Sequence, residues 1–284
     1  MTLQLRKILE RVGDLPTLPQ VMTRILSIVE DPRSSAKDLE AIMARDPALT
    51  ARILRLVNSA YYGVTQRVSS LSQAVVILGF DTVRAVALTV SVFDAFGSKG
   101  GVGEFDRVGF WRHSIGSAVI YQALSAKVGG IDPESAFICG LLHDIGKLVL
   151  DRYAPNELRA VLQRAEERRC SFLDAEVDIV DTDHAHLGGW LLEKWRLSED
   201  VVRWVSRHHS MQSEDGVRVA ISHFADYLCK VKGISASGTH DEAHLDRAIW
   251  NRLGLQKQDL PTVIEGVNKE LASADEFLLV AAGK

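Results

Sequence analysis

The sequence predicts an all-α protein of two helical lobes. Three observations lead there. Apolar residues recur at helical spacing along most of the 284 residues, no segment alternates apolar and polar side chains as a half-buried strand would, and helix starts are marked by capping residues.

Taken in order, Leu15-Pro-Thr-Leu-Pro19 is a stiff entry, and Ser35 caps a helix expected to run through Arg45. Asp46-Pro47 is an N-cap followed by proline at the first helical position, and Leu49, Ile53, Leu56 and Val57 then form one apolar stripe. Ser70 and Asp81 are expected to cap two further helices, separated at Gly79. Gly97-Ser-Lys-Gly-Gly-Val-Gly103 holds four glycines in seven residues, a composition that breaks a helix, so a first lobe is expected over 1–97. Helical patterns resume near Trp111. They continue through a helix around residue 143, then Leu158 to Arg169, His184 to Trp195, Glu199 to His209 and Val217 to Val231, giving a second lobe over 104–231. The polar segment Lys232 to His240 separates an amphipathic C-terminal tail, 232–284.

Composition narrows the function classes. The chain is 46% hydrophobic and 25% charged, and 33 Lys and Arg against 37 Asp and Glu leave a net charge of −4. Such a balance gives no general attraction for nucleic acid or anionic lipid, so phosphate binding has to be local. Cys139, Cys170 and Cys229 share no CxxC spacing, which argues against disulfides and thiolate zinc and fits a reducing cytoplasm. Ala74 to Phe96, the most apolar long stretch, carries Asp81, Arg84 and Asp94, so no membrane span is expected; nor is a signal peptide.

The chemistry concentrates around His143-Asp144, set among Ile138, Leu141, Leu142, Ile145, Leu148 and Val149. An imidazole and a carboxylate side by side can hold one divalent ion, or the carboxylate can bridge two. On one helix, His143, Asp144 and Lys147 converge on one side. Further donors lie on separate helical segments: His113, His184, the pair His208-His209, and Asp226. A helical bundle gathers such side chains into one internal site, and this mixed nitrogen and oxygen set suits two ions of iron, manganese or zinc, with Asp144 as the bridge. Isolated helical histidines are ordinarily hydrogen-bonded or on the surface, and His186, His223, His240 and His244 are read that way.

The order His113, His143-Asp144 with Lys147, His184, His208-His209 and Asp226 resembles the motif order of the HD superfamily of metal-dependent phosphohydrolases, over roughly Trp111 to Leu228. In the first lobe Leu15–Pro19, Asp46-Pro-Ala-Leu-Thr50, Leu54-Arg-Leu-Val-Asn-Ser-Ala60 and Ala74-Val-Val-Ile-Leu-Gly79 look like the signature segments of the HDOD family, the HD-related output domain of bacterial signalling proteins. The resemblance implies an HD-type helical core in the second lobe. It also implies His113, His143, Asp144 and Asp226 around a first ion, and Asp144, His184, His208 and His209 around a second. Asp144 and Lys147 are the implied catalytic residues, Lys147 neutralising charge on a phosphoryl oxygen or orienting water.

Departures from the pattern qualify what the resemblance implies. The Gly-Tyr-Pro motif of the cyclic-di-GMP phosphodiesterase branch is missing after His208-His209, which disfavours cyclic-di-GMP hydrolysis, and Gly109 stands where some relatives carry a carboxylate for a third metal. His186 stands where an acidic residue is common in relatives. Arg203 and Arg207 are a further option for phosphate contact.

Two functions from different classes follow. The first is a signalling module that binds two metal ions and regulates a protein partner; the second is a metal-dependent phosphohydrolase acting on a nucleotide or other phosphoester. A helix-turn-helix over Ala36 to Ala60 would be a third, but its second helix begins with an acid and a proline and has no basic residue before Arg52, so DNA binding is not expected.

Overall fold

In the computed structural model the described residues are 46–96, 105–210, 216–234 and 247–281, with a few isolated positions besides. Leu15–Pro19, most of Ser35 to Arg45, most of the Gly97–Gly103 segment, residues 211–215, and His240 and His244 lie outside them. Among the described residues there are thirteen α-helices and no strand. They fall into two compact units, one drawn from 16–99 and 268–284, the other from 100–267.

The first unit begins with α1 (Pro47–Val57). The Asp46 carboxylate accepts the Leu49 N–H at 3.0 Å, and the buried face is the predicted stripe Leu49, Ile53, Leu56 and Val57. Beyond it Asn58 ties two chain segments together, donating to the Leu54 and Val68 carbonyls and accepting the Val68 N–H. α2 (Leu71–Leu78) starts at Ser70, whose hydroxyl accepts the Gln73 N–H, and ends at Gly79 with φ +88°. α3 (Phe80–Phe96) follows at once, so Asp81 lies inside its first turn and does not cap it. Buried on almost every side, α3 satisfies Thr89 and Ser91 by donating their hydroxyls to the Ala85 and Ala87 carbonyls one turn back.

The second unit is organised around α4 (Arg107–Val128), which is buried from Phe110 to Tyr121 except for Arg112. Around it lie α5 (Pro133–Leu142), α6 (Ile145–Tyr153), α7 (Pro155–Arg168), α8 (Phe172–Val180), α9 (His184–Lys194), α10 (Glu199–Ser206), α11 (Gly216–Val231) and α12 (Arg247–Leu253). Their starts follow the capping rule: Asp106, Asp132, Ser171 and Asp183 each accept a backbone N–H from the first turn. The last helix, α13 (Leu260–Ala281), carries Phe277, whose ring meets Tyr61 at 5.1 Å within the first unit. Inside the second unit Asp151 is fully buried and accepts the Arg107 Nε–H at 2.7 Å, so its charge is paired.

Two differences from the sequence reading bear on function. The single helix expected around residue 143 is two helices, α5 and α6, with His143 and Asp144 at the junction. The apolar periodicity runs through both and hides the break. In addition, residues 172–180 form α8, which the sequence reading left without a helix.

Candidate metal centre

The predicted ligands arrive on five separate elements, and the approach of two pairs of those elements is set by glycines. A side chain at Gly140 of α5 would run into the backbone of Ser117 and Ala118 on α4, so only glycine lets α5 lie close enough to bring His143 beside His113. A side chain at Gly146 of α6 would collide with the His184 carbonyl and Gly188 on α9. That close approach brings Asp144 against His184. Gly109 has a local reason too, because a side chain there would meet the Asp106 carboxylate that caps α4.

The donors then converge. His113 Nε2 and His143 Nε2 are 3.3 Å apart, His184 Nε2 and His209 Nε2 are 2.9 Å apart, and Asp144 lies between the groups. Its Oδ1 is 3.0 Å from His184 Nε2 and 3.8 Å from His208 Nε2, while its Oδ2 is 3.7 Å from His113 Nε2 and 2.6 Å from Lys147 Nζ. Two groups of donor atoms each lie within 4.8 Å of one another: His113, His143 and Asp144, and His184, His208 and His209. Asp226 lines the same cleft but stands outside both groups, with its carboxylate 2.8 Å from Lys230.

The orientation of the rings decides what this cluster can hold. His113, His143 and His208 direct Nδ1 at the carbonyls of Ile234, Gly140 and Val205, at 3.0, 2.7 and 2.8 Å. A carbonyl only accepts, so each Nδ1 carries the proton and each Nε2 presents its lone pair inward. His184 directs Nδ1 at Glu176, with Nδ1 at 2.5 Å and its backbone N–H at 3.2 Å from Oε2. Lone pairs facing each other at 3.3 Å repel unless a cation or proton lies between them, and His208 Nε2 is buried with no hydrogen-bond partner. This donor set fits divalent metal, with outer hydrogen bonds fixing His113, His143, His184 and His208 as ligating histidines require.

Electrostatics favours the ligating protonation states of His143, His208, His209 and Asp144. Burial, helped by His113, lowers His143 to about 4, and burial with neighbouring imidazoles holds His208 and His209 well below the usual histidine value, so these rings are neutral at neutral pH. Burial would raise Asp144, but His143, Lys147 and His184 outweigh it and keep the carboxylate ionised. Burial opposes a proton on His184, yet Glu176 and Asp144 raise it to about 9, so without metal this ring is protonated at neutral pH and an ion at Nε2 has to displace that proton.

The cleft over the centre has a volume of about 500 Å³ and is lined by Lys147, Arg169, Phe172, His223 and Lys230 besides the ligands. Lys147 is placed over the Phe172 ring at 5.1 Å. Arg203 and Arg207 line a separate depression on α10 with none of the ligands, and exposed His186 meets the capping carboxylate of Asp183. Glu176 is the residue sequence reasoning missed. It lies among Phe172, Ala175 and Val180 on the buried face of α8, and an acid at a core position was the available signal.

The sequence model of the HDOD domain family matches residues 15–211. The chain belongs to the HDOD family. Among solved structures, an HDOD domain protein of unknown function from Geobacter sulfurreducens is similar at 26% identity and a TM-score of 0.82, covering 96% of this chain and 97% of that one. A protein from Shewanella amazonensis, provisionally named a phosphohydrolase, is similar at 25% identity and a TM-score of 0.71, covering 94% and 97%. An uncharacterized protein of Treponema pallidum is 28% identical over 209 residues, which span 72% of this HDOD chain and 39% of the relative. Among the described residues no helix of this HDOD protein is long and apolar enough to cross a membrane.

Proposed function

We propose that this HDOD protein is a signalling module built on a dinuclear metal centre, acting on a protein partner. The observation that carries the metal half is that four buried imidazoles are pinned through Nδ1 and aim Nε2 at one carboxylate. His113 and His143 would hold one divalent ion and His184, His208 and His209 another, with Asp144 between them. The centre joins α4, the α5–α6 junction, the start of α9 and the turn after α10. Metal loading is therefore coupled to the packing of those elements, and so to any surface they present to a partner. The signalling half is supported by membership of a family of output domains.

A second reading, metal-dependent hydrolysis of a nucleotide or other phosphoester, is favoured by the open cleft. Two bound ions would supply Lewis acidity toward a phosphoryl oxygen and a more acidic water. Lys147, within 2.6 Å of Asp144 and at the cleft wall, would meet charge developing on phosphate oxygens, and Arg169 and Lys230 add positive charge along the same wall.

Elemental analysis of untagged protein tests the shared premise, and a phosphoester screen separates the two readings. Bound metal without turnover of any phosphoester supports the signalling module. Turnover abolished in Asp144→Ala supports the hydrolase, and protein that never binds metal contradicts both.

A further inference from the structure

The two halves of the centre differ in their carboxylates. On the His184 side three imidazoles converge, and Asp144 Oδ1 faces them at 3.0 Å from His184 Nε2. On the His113 side there are two imidazoles, His113 with its Nε2 3.7 Å from Asp144 Oδ2 and His143 with its Nε2 3.5 Å from Oδ1, and Oδ2 is 2.6 Å from the Lys147 ammonium. Lys147 is confined there, only 12% exposed and held over Phe172. Asp226, a further carboxylate of the cleft, is 2.8 Å from Lys230 on the next turn of α11. Asp144 Oδ2 and Asp226 therefore each already face a lysine.

A divalent ion at Oδ2 would stand within a few ångströms of the Lys147 charge in a poorly solvated site, where like charges repel strongly. It would also have one fewer imidazole than the ion opposite. Resting on the dinuclear reading above, we infer that the centre loads in two unequal steps. One ion is held tightly by His184, His208, His209 and Asp144 Oδ1; the other is held weakly and exchangeably on the His113–His143 side, with Lys147 and Lys230 setting its affinity. The second step displaces ammonium groups from carboxylates, so the weak half responds to metal concentration while the tight half remains filled.

The test is calorimetric titration of chelator-treated full chain with Mn²⁺ alone. Two events are expected, the second weaker by about tenfold or more. Lys147→Met and Lys230→Met each strengthen the second event by roughly fivefold or more and leave the first within about threefold, whereas Lys147→Arg, which keeps the charge, leaves the gap in place. Lys230 is 20% exposed and pairs with Asp226, so its variant tests the claim should Lys147→Met fail to fold. His113→Gln removes only the weak event, and His209→Gln weakens the tight one. Two events of equal affinity, a second event unmoved by both methionine variants, or a weak event that survives His113→Gln would overturn the inference. A chain that binds no Mn²⁺ fails differently, by removing the dinuclear reading beneath it.

Discussion

Asp144 is the residue on which the centre turns, because it lies between both histidine groups, with Oδ1 near His143, His184 and His208 and Oδ2 near His113, and its negative charge survives complete burial only through the cations and imidazoles around it. Glu176 acts one step further out by fixing His184. Replacing it with alanine leaves the His184 Nδ1–H without its acceptor and should weaken metal binding by about 10–100-fold, with glutamine milder; competition with a chromophoric chelator measures it. The buried histidines also set an acid response in metal-free protein. His143 sits at about 4 against an ordinary 6.5, with His208 and His209 shifted the same way. The unfolded chain therefore takes up protons first. Stability conferred by the neutral rings is complete above about pH 6.5 and is lost progressively as the pH falls toward 4, which thermal melts of chelated protein across that window will show. The convergence of His113, His143, Asp144, His184, His208 and His209 was legible in the sequence because His and Asp at helical spacing on several segments are rare among apolar neighbours, whereas Asp226, named with them, stands apart beside Lys230. Glu176 was not, since nothing in the order of residues says that α8 folds its one buried acid against a histidine eight positions on.

At the scale of elements, capping and packing do different work. Asp46 and Ser70 mark helix starts that the sequence announces, and Asp46→Ala should cost about 1 kcal/mol in the first unit while leaving metal binding unchanged. Gly146 is another matter, since a methyl group there meets the His184 carbonyl. Gly146→Ala is expected to cost about 1–3 kcal/mol in denaturant melts and also to weaken metal binding, because α6 and α9 carry Asp144 and His184. A Gly146→Ala protein with wild-type metal affinity would show that the close approach is not what assembles the centre. The break between α5 and α6 escaped the sequence reading for a physical reason. The apolar stripe continues on both sides, and the feature that ends α5, His143 Nδ1 taking the Gly140 carbonyl, is a side-chain contact that no periodicity records.

At the scale of the whole molecule, the all-α class was readable because the local signals agreed from end to end: capping residues, helical stripes and no alternating strands. The allotment of the C-terminal segment was not readable. Its residues to 267 group with the second unit and those from 268 with the first, a long-range outcome that an amphipathic pattern does not encode. Metal bound by helices so far apart in sequence should stabilise the fold by mass action, about 2.7 kcal/mol at a free concentration 100 times the dissociation constant. Chelation should lower the melting temperature accordingly, and restored metal should return it. The account rests on Asp144 joining two histidine groups into one centre, and elemental analysis of untagged protein equilibrated with excess Mn²⁺, beside Asp144→Ala, tests that most directly. Two equivalents per chain, with both lost or strongly weakened in Asp144→Ala, is the predicted result; a chain without bound metal, or one whose metal content is indifferent to Asp144, would contradict it.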